Sequence, residues 1–269
     1  MTEAPSIPRL VAAVAVACLL LAGCGSSGSS TRAAPARSGG SSVSRFGGSL
    51  TVFAAASLTE SFDEDKTQLV ADNPGLSITY SFAGSQQLVT QVRAGAPADV
   101  VATADGDSMA KLVSTGMVEP PRVFATNKLQ IVVARGNPKS INGLADLAGG
   151  NLQVVLADPS VPAGKYARQA LDKAHVTVKP VSLELDVKSV LRKVAAGDAD
   201  AGIVYVTDVA AADSSVAGIE IPEDQNVVAS YPAAVVRATK NHVAAQAFVD
   251  QLFGGRGQAA LRRHGFLAP

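Results

Sequence analysis

The chain is poor in cysteine, has no tract of positive charge and carries no apolar run long enough to cross a membrane. Its two cysteines, Cys18 and Cys24, both lie near the N-terminus. Basic and acidic residues balance at 23 each, giving a formal net charge of zero. The electrostatic footprint of a nucleic-acid binder is therefore missing. The three histidines, His175, His242 and His264, are far apart and form no i, i+4 metal pair. They read as ordinary surface or packing residues. No Gly-x-Ser-x-Gly elbow occurs, so a serine nucleophile has no recognisable frame, and a base with an orienting acid would also be needed. No short-period repeat is visible, which argues against a solenoid. The apolar run Leu10–Leu21 (LVAAVAVACLLL) is too short to span a bilayer comfortably.

What that run does fit is the core of a secretory signal. Arg9 precedes it and Leu21-Ala22-Gly23-Cys24 ends it. The last four residues resemble a bacterial lipobox, which implies cleavage before Cys24 and attachment of lipid to its sulfur. Residues 1–23 are then a lipoprotein signal peptide, and Cys18 leaves with it. A single remaining cysteine cannot pair within the chain. Residues 24–48 are rich in Gly, Ser, Pro and Ala and lack hydrophobic periodicity, the composition of a flexible tether. The expected location is the outer face of the cytoplasmic membrane, with the protein lipid-anchored and extracytoplasmic.

From Ser49 onward, strand-like and helix-like segments alternate over about 220 residues, enough for one large domain or two small lobes. Leu50–Ala54, Leu76–Phe82 and Asp99–Thr103 read as strands, as do Leu129–Ala134, Leu152–Ala157, Val181–Leu185, Gly202–Val206 and Ala233–Arg237. Helical spacing follows most of them. Such alternation predicts parallel β/α units and an α/β fold. The expected division places residues 49–127 plus 231–269 in a first lobe and residues 128–230 in a second.

The helix starts are the informative positions. Ser57 precedes Leu58, Ser85 follows Ala83-Gly84, Pro162-Ala163-Gly164 opens a helix, and Asp186 precedes a Val187, Val190, Leu191, Val194 stripe. A helix start offers free N–H groups and the positive end of the dipole. At the C-terminal edge of an α/β sheet it is a natural anion site. Each position taken singly also reads as an ordinary cap, and Ser57 with Glu60 would make a capping box. Asp63-Glu64-Asp65 reads as a solvated first turn. Arg93 and Lys165 read as surface residues and Asp186 as an N-cap.

Several local sequences together resemble the molybdate-binding proteins of ABC importers. They are Phe53–Glu60 (FAAASLTE), Ser81–Ser85 (SFAGS), Arg93–Val100 (RAGAPADV), Asp158–Ala167 (DPSVPAGKYA), Asp186-Val187, Gly202–Tyr205 (GIVY) and Tyr231–Val236 (YPAAVV). The likeness is collinear over nearly all of residues 49–269. It implies a two-lobed, type II-like periplasmic-binding-protein fold, with mostly parallel sheets flanked by helices and the ligand in the interlobe cleft. It further implies hydroxyl and backbone N–H donors from Ser57 and Ser85, backbone N–H donors from Ala163 and Val187, and a phenol donor from Tyr205. Gly84 and Gln86 depart from the small hydroxyl residues common beside that second serine. The implied ligand is molybdate, with tungstate comparable, held as an oxyanion with no direct metal ligand and no cofactor. The implied partners are an ABC permease and the lipid anchor, around a monomer without catalytic activity. A sulfate or phosphate-type carrier is the alternative. A fully deprotonated oxyanion only accepts hydrogen bonds, so a site made of donors suits it, and unsatisfied buried donors cost about 1–3 kcal/mol each.

Overall fold

The computed structural model describes residues 47–212 and 214–269. The signal peptide, Cys24 and all but the end of the tether lie outside the described residues. Gly48, expected as the last tether residue, already pairs with Leu76 in the first strand.

The first half builds β1 (Gly48–Ala55), α1 (Thr59–Asp72), β2 (Leu76–Ala83), α2 (Ser85–Arg93), β3 (Val100–Ala102) and α3 (Gly106–Val113). A long β4 (Arg122–Ala134) follows. The second half adds β5 (Val154–Ala157), α4 (Pro162–Lys173), β6 (Ser182–Glu184), α5 (Val187–Ala196), β7 (Ala201–Tyr205), α6 (Val206–Ala211) and β8 (Val216–Glu220). The chain then returns through β9 (Val228–Val235), α7 (His242–Gln251) and α8 (Gly255–Arg263). The strands join in the order β2-β1-β3-β9-β4-β7-β5-β6, with β8 also on β4. β1 is parallel to β2 and β3, and β5 is parallel to β6 and β7. The α/β class expected from the sequence is the one observed.

β4 is the seam. Residues 122–128 pair with β9, and residues 129–133 pair with β7. The sequence pattern marked only the apolar second part, Leu129–Ala134, because the first part carries Arg122, Thr126, Asn127 and Lys128 among its apolar residues. Pro232 lies in β9 where the β4 register shifts between Val123 and Ala125, a place where a missing N–H is tolerated. The short α6 and the glycine-broken β8 (VAGIE) escaped notice because neither is long enough to display a period.

Strands buried on both faces read as continuous apolar runs. In β1, Val52 and Ala54 face the larger core, while Phe53 faces a second one with Leu88, Val92, Val101, Met109 and Leu112. Phe62, Tyr80, Phe124, Tyr231 and Phe248 stack through tilted and edge contacts at 5.7–6.4 Å between ring centres. Among the described residues no helix is long and apolar enough to cross a membrane.

The acidic run Asp63–Asp65, which falls in the second turn of α1 and not the first, is only partly solvated. Ser61, Phe62, Asp65 and Leu69 are the buried residues of that helix, one stripe at i, i+4 spacing that turns toward the core. Asp65 therefore sits inside, 4% exposed. Burial pushes its carboxyl up to about 6, with the Gln251 side chain and Arg256 pulling the other way. A raised carboxyl pKa means that the native state holds the proton more tightly than the unfolded chain does. Stability from this group thus rises as pH falls through about 6 and is lost above it. Replacing Asp65→Asn should raise the melting temperature at pH 7.5 by several degrees, on the order of 1–3 kcal/mol. Thermal denaturation across pH 5 to 8 checks this, because the gain should shrink toward pH 5.

Candidate oxyanion site

The parallel strands deliver their C-terminal ends to one place. β1 runs into a short 3-10 turn, Ala56–Leu58, and β2 into Gly84 and Ser85. On the other side β5 leads to Val161 and Pro162, β6 to Asp186 and Val187, and β7 ends on Tyr205 itself. Ser57, Ser85, Ala163, Val187 and Tyr205 all line a single small cavity together with Ala55, Ala56, Ala83, Gly84, Ala104, Val161 and Pro162. None of these residues is charged. The walls leave an accessible volume of about 10 Å³, room for little more than one small group and far below the roughly 300–1,000 Å³ of pockets for drug-sized ligands. A larger groove of about 660 Å³ opens by Ser49, Pro97 and Asn241, at the opposite strand ends. No helix starts converge there.

Local sequence explains each donor. Pro162 begins α4, where a missing N–H costs nothing. Gly164 in its first turn lies against the carbonyls of Ala157 and Asp158, and a methyl group there would overlap both. Asp186 caps α5 by accepting from Ser189 N at 2.8 Å, which presents the Val187 amide at the helix start. Gly84 holds the N-cap of α2 in extended backbone, placing Ser85 first in the helix.

Ser57 is not the cap that the sequence suggested. It lies inside the 3-10 turn with Ala55 at the cap position, and no side chain caps the turn. Its hydroxyl lies 3.0 Å from the Tyr231 phenol. Glu60, the expected partner in a capping box, instead binds Lys188 at 2.8 Å. Ser85 Oγ accepts from the Ala104 amide at 3.0 Å. With that acceptor position occupied, the Ser85 proton is left for the cavity.

Tyr205 is the most exacting member. It is 1% exposed, and its phenol oxygen is buried without a geometric hydrogen-bond partner. Burial raises its pKa well above the ordinary phenol value, with Tyr231 adding to the effect. The group thus stays protonated and remains a donor at any physiological pH. An unsatisfied buried hydroxyl costs free energy until something accepts from it.

Two lysines bracket the cavity. Lys165, two residues after Ala163, bonds Asp105 at 2.5 Å and Asp107 at 2.8 Å. It is largely covered rather than a free surface charge. Burial works against its ammonium, but the two carboxylates outweigh that and hold its pKa above the ordinary value. Lys188, next to Val187, bonds Glu60 and lies 3.3 Å from Asp208. Burial pushes the Asp208 carboxyl up to about 6, opposed by Lys188. Its other oxygen accepts from the Tyr205 backbone N–H at 3.1 Å. Both lysines thus tie α4 and α5 to acids at the ends of β1 and β3.

A third tie comes from Gln86, whose amide donates to the Leu185 carbonyl at 2.9 Å. Gly84 lies so close to the same carbonyl that a methyl group would overlap it. The two departures from the family pattern beside Ser85 thus make one contact between α2 and the β6–α5 loop. Arg93 ends α2 and is no part of the cavity. His242 pairs with Glu119 and His264 with Glu64 on outer helices. Tyr231, Asn127 and Thr207, which stand behind Ser57, carried no sequence signal as a group.

The molybdate-binding protein ModA of Mycobacterium tuberculosis is 42% identical over 222 residues, spanning 82% of this chain and 85% of that protein. The periplasmic molybdate-binding protein of Azotobacter vinelandii has the same fold, with a TM-score of 0.70 at 20% identity over 82% of this chain and 99% of its own. The sulfate-binding protein SubI of Mycobacterium tuberculosis also shares the fold, with a TM-score of 0.73 at 22% identity over 81% of this chain and 86% of its own. Residues 50–267 match the profile described as bacterial extracellular solute-binding protein, and the chain belongs to that family.

Proposed function

We propose that this protein captures molybdate outside the cytoplasm and delivers it to an ABC permease for import, with tungstate accepted comparably. The observation that carries this reading is the uncharged cavity at the strand ends, into which an unpartnered buried phenol, two serines and the first amides of three helices converge. A dianion without protons satisfies all of these donors at once. A sulfate carrier shares the fold, but the relative at 42% identity is named for molybdate, whereas the sulfate-binding neighbour at 22% supports the architecture alone. The protein is read here as a carrier rather than a catalyst, as the relatives that it matches are named for binding.

In this reading Ser57 and Ser85 bond the anion through hydroxyl and amide, Ala163 and Val187 through amides, and Tyr205 through its phenol. Residues 49–127 with 231–269 act as one lobe and residues 128–230 as the other. The change of β4 partners near Lys128 supports this division, and in it the lysine ties hold the lobes together around the ion. Signal cleavage leaves Cys24 as a lipid anchor to the outer face of the membrane, and the mature protein works as a monomer.

Molybdate at a hundredfold excess over its dissociation constant should stabilise the mature protein by about 2.7 kcal/mol. That corresponds to a rise in melting temperature of roughly 5–10 °C. Melting with molybdate, tungstate, sulfate and phosphate in turn tests the choice of ion. A shift with sulfate or phosphate alone would exclude the proposal.

For Ser57→Ala the expected loss is roughly 1.5–3 kcal/mol of binding free energy, about ten- to hundredfold in affinity by titration calorimetry. Unchanged affinity would remove Ser57 from the site. Gly84→Ala leaves the unliganded protein folded, because φ −61° suits any residue. It should still weaken molybdate binding at least about tenfold, since the added methyl keeps Leu185 away from α2. Equal affinities for the variant and the parent would show that this contact plays no part in the bound state.

A further inference from the structure

Lys165 is no part of the cavity wall, yet its contacts lead to one of the donors there. Its Nζ bonds Asp105 Oδ2 at 2.5 Å and Asp107 Oδ2 at 2.8 Å. The two acids are unlike. Asp107 is an exposed carboxylate, and a pair with it contributes little. Asp105 is 3% exposed, and each of its oxygens has a partner. Oδ1 accepts the Ser108 N–H at 3.0 Å as the cap of α3, and Oδ2 accepts from Lys165. The residue before it, Ala104, lines the cavity and donates its N–H to Ser85 Oγ at 3.0 Å. Thr103 closes the segment, with its hydroxyl on the Asp105 carbonyl at 2.7 Å and its N–H on the Pro232 carbonyl at 3.0 Å. Without the ammonium, Asp105 Oδ2 is a buried charged acceptor lacking its partner, which is costly until the turn shifts toward water. A shift at Asp105 moves the Ala104 amide, and with it the bond against which the Ser85 hydroxyl is set. At its other end Lys165 stands two residues beyond Ala163. That first turn of α4 is seated by Gly164 against the Ala157 and Asp158 carbonyls.

We propose that Lys165 is a positioning residue for the Ser85 hydroxyl: through Asp105 and the Ala104 amide it fixes Ser85 on one wall of the cavity relative to the Ala163 amide on another. The inference rests on the oxyanion reading of the cavity and deepens it. Lys165 serves the anion by geometry and not by charge, since its ammonium is bonded to two carboxylates. A role through charge would act on every donor alike and would weaken with added salt. A role through Asp105 acts on Ser85 and leaves Ser57 as it is, because Ser57 rests on Tyr231 from another strand.

The test uses Lys165→Met in the mature protein, alone and combined with Ser85→Ala or Ser57→Ala, with Lys165→Arg as the conservative variant. Met keeps most of the stem without the ammonium, whereas Arg keeps the charge and still reaches Asp105. Calorimetric titrations with molybdate are run at low and at high salt. Lys165→Met should weaken molybdate about fivefold at both, and Lys165→Arg by less than about twofold. The loss from Lys165→Met should vanish in the Ser85→Ala background and persist in the Ser57→Ala background, as coupling through one shared partner requires. Hydrogen exchange at the Ala104 amide, followed by NMR in the unliganded protein, gives a reading independent of affinity. Lys165→Met should speed it at least about tenfold while amides in the middle of β1 keep their rates. Equal losses in the two serine backgrounds, a loss that fades with salt, or unchanged exchange at Ala104 each overturn the inference and leave the oxyanion site standing. A parent protein without affinity for molybdate overturns the oxyanion reading itself.

Discussion

An anion can be taken out of water without a countercharge only if every bond that it surrenders to water is replaced by a donor already in place. That requirement organises this molecule. The cavity wall contains no lysine, arginine or histidine, so the available positive charge is the partial charge on first-turn amides and hydroxyl protons. Such charge is short-ranged and directional. It is useful only if the helix starts are placed to within a few tenths of an ångström, and the sheet provides that placement. Five strands end at the same level, and close approaches such as Gly164 against Ala157 and Asp158 leave α4 no freedom to slide. The apolar core is stiff for the same reason: Phe53 and Val52 are buried on opposite faces of one strand, and a shift of β1 would disturb both.

The charges that might have served the anion are engaged elsewhere. Lys165 and Lys188 sit one or two residues from the amides of Ala163 and Val187, yet Lys165 is bonded to Asp105 and Asp107 and Lys188 to Glu60 of the opposite side, with Asp208 of its own side beside it. These pairs are half-covered and span elements far apart in sequence, so they act on geometry more than on net stability. Their acids outnumber them. The rim therefore supplies little long-range attraction for an anion, and selectivity falls to the donors inside. Asp208 joins the two functions, since one oxygen faces Lys188 while the other accepts the Tyr205 backbone N–H. The phenol's backbone is thereby coupled to the tie between the two sides.

Much of the fold was legible because its causes are local. Apolar runs bounded by turn residues marked β1, β2, β5 and β7, and the Val187–Val194 stripe marked α5. The five candidate site residues were legible as starts of helices or ends of strands, and the structure gathers them around one cavity. What escaped depends on contacts that no short window contains. Ser57 looked like a cap because a Ser followed by Glu three residues later is the local pattern for one. Tyr231, 174 positions away, takes the hydroxyl, and Lys188, at the start of α5, takes the carboxylate. Asp65 looked solvated because it sits in an acidic run. Only the direction in which α1 rolls onto α8 puts it inside.

Gly84 and Gln86 show how a departure from a family pattern can be read physically. In sequence they looked like a loosened wall beside Ser85. In the structure the missing side chain of Gly84 admits the Leu185 carbonyl, and the long amide of Gln86 reaches the same atom. A small hydroxyl residue in place of Gln86 could not span that gap, and any side chain at 84 would hold Leu185 off. The pair therefore exchanges a local contact near the serine for a contact between α2 and the segment leading into α5. The amide of Val187 begins that helix two residues beyond Leu185. A change on one side of the cavity thus fixes the position of a donor on the other.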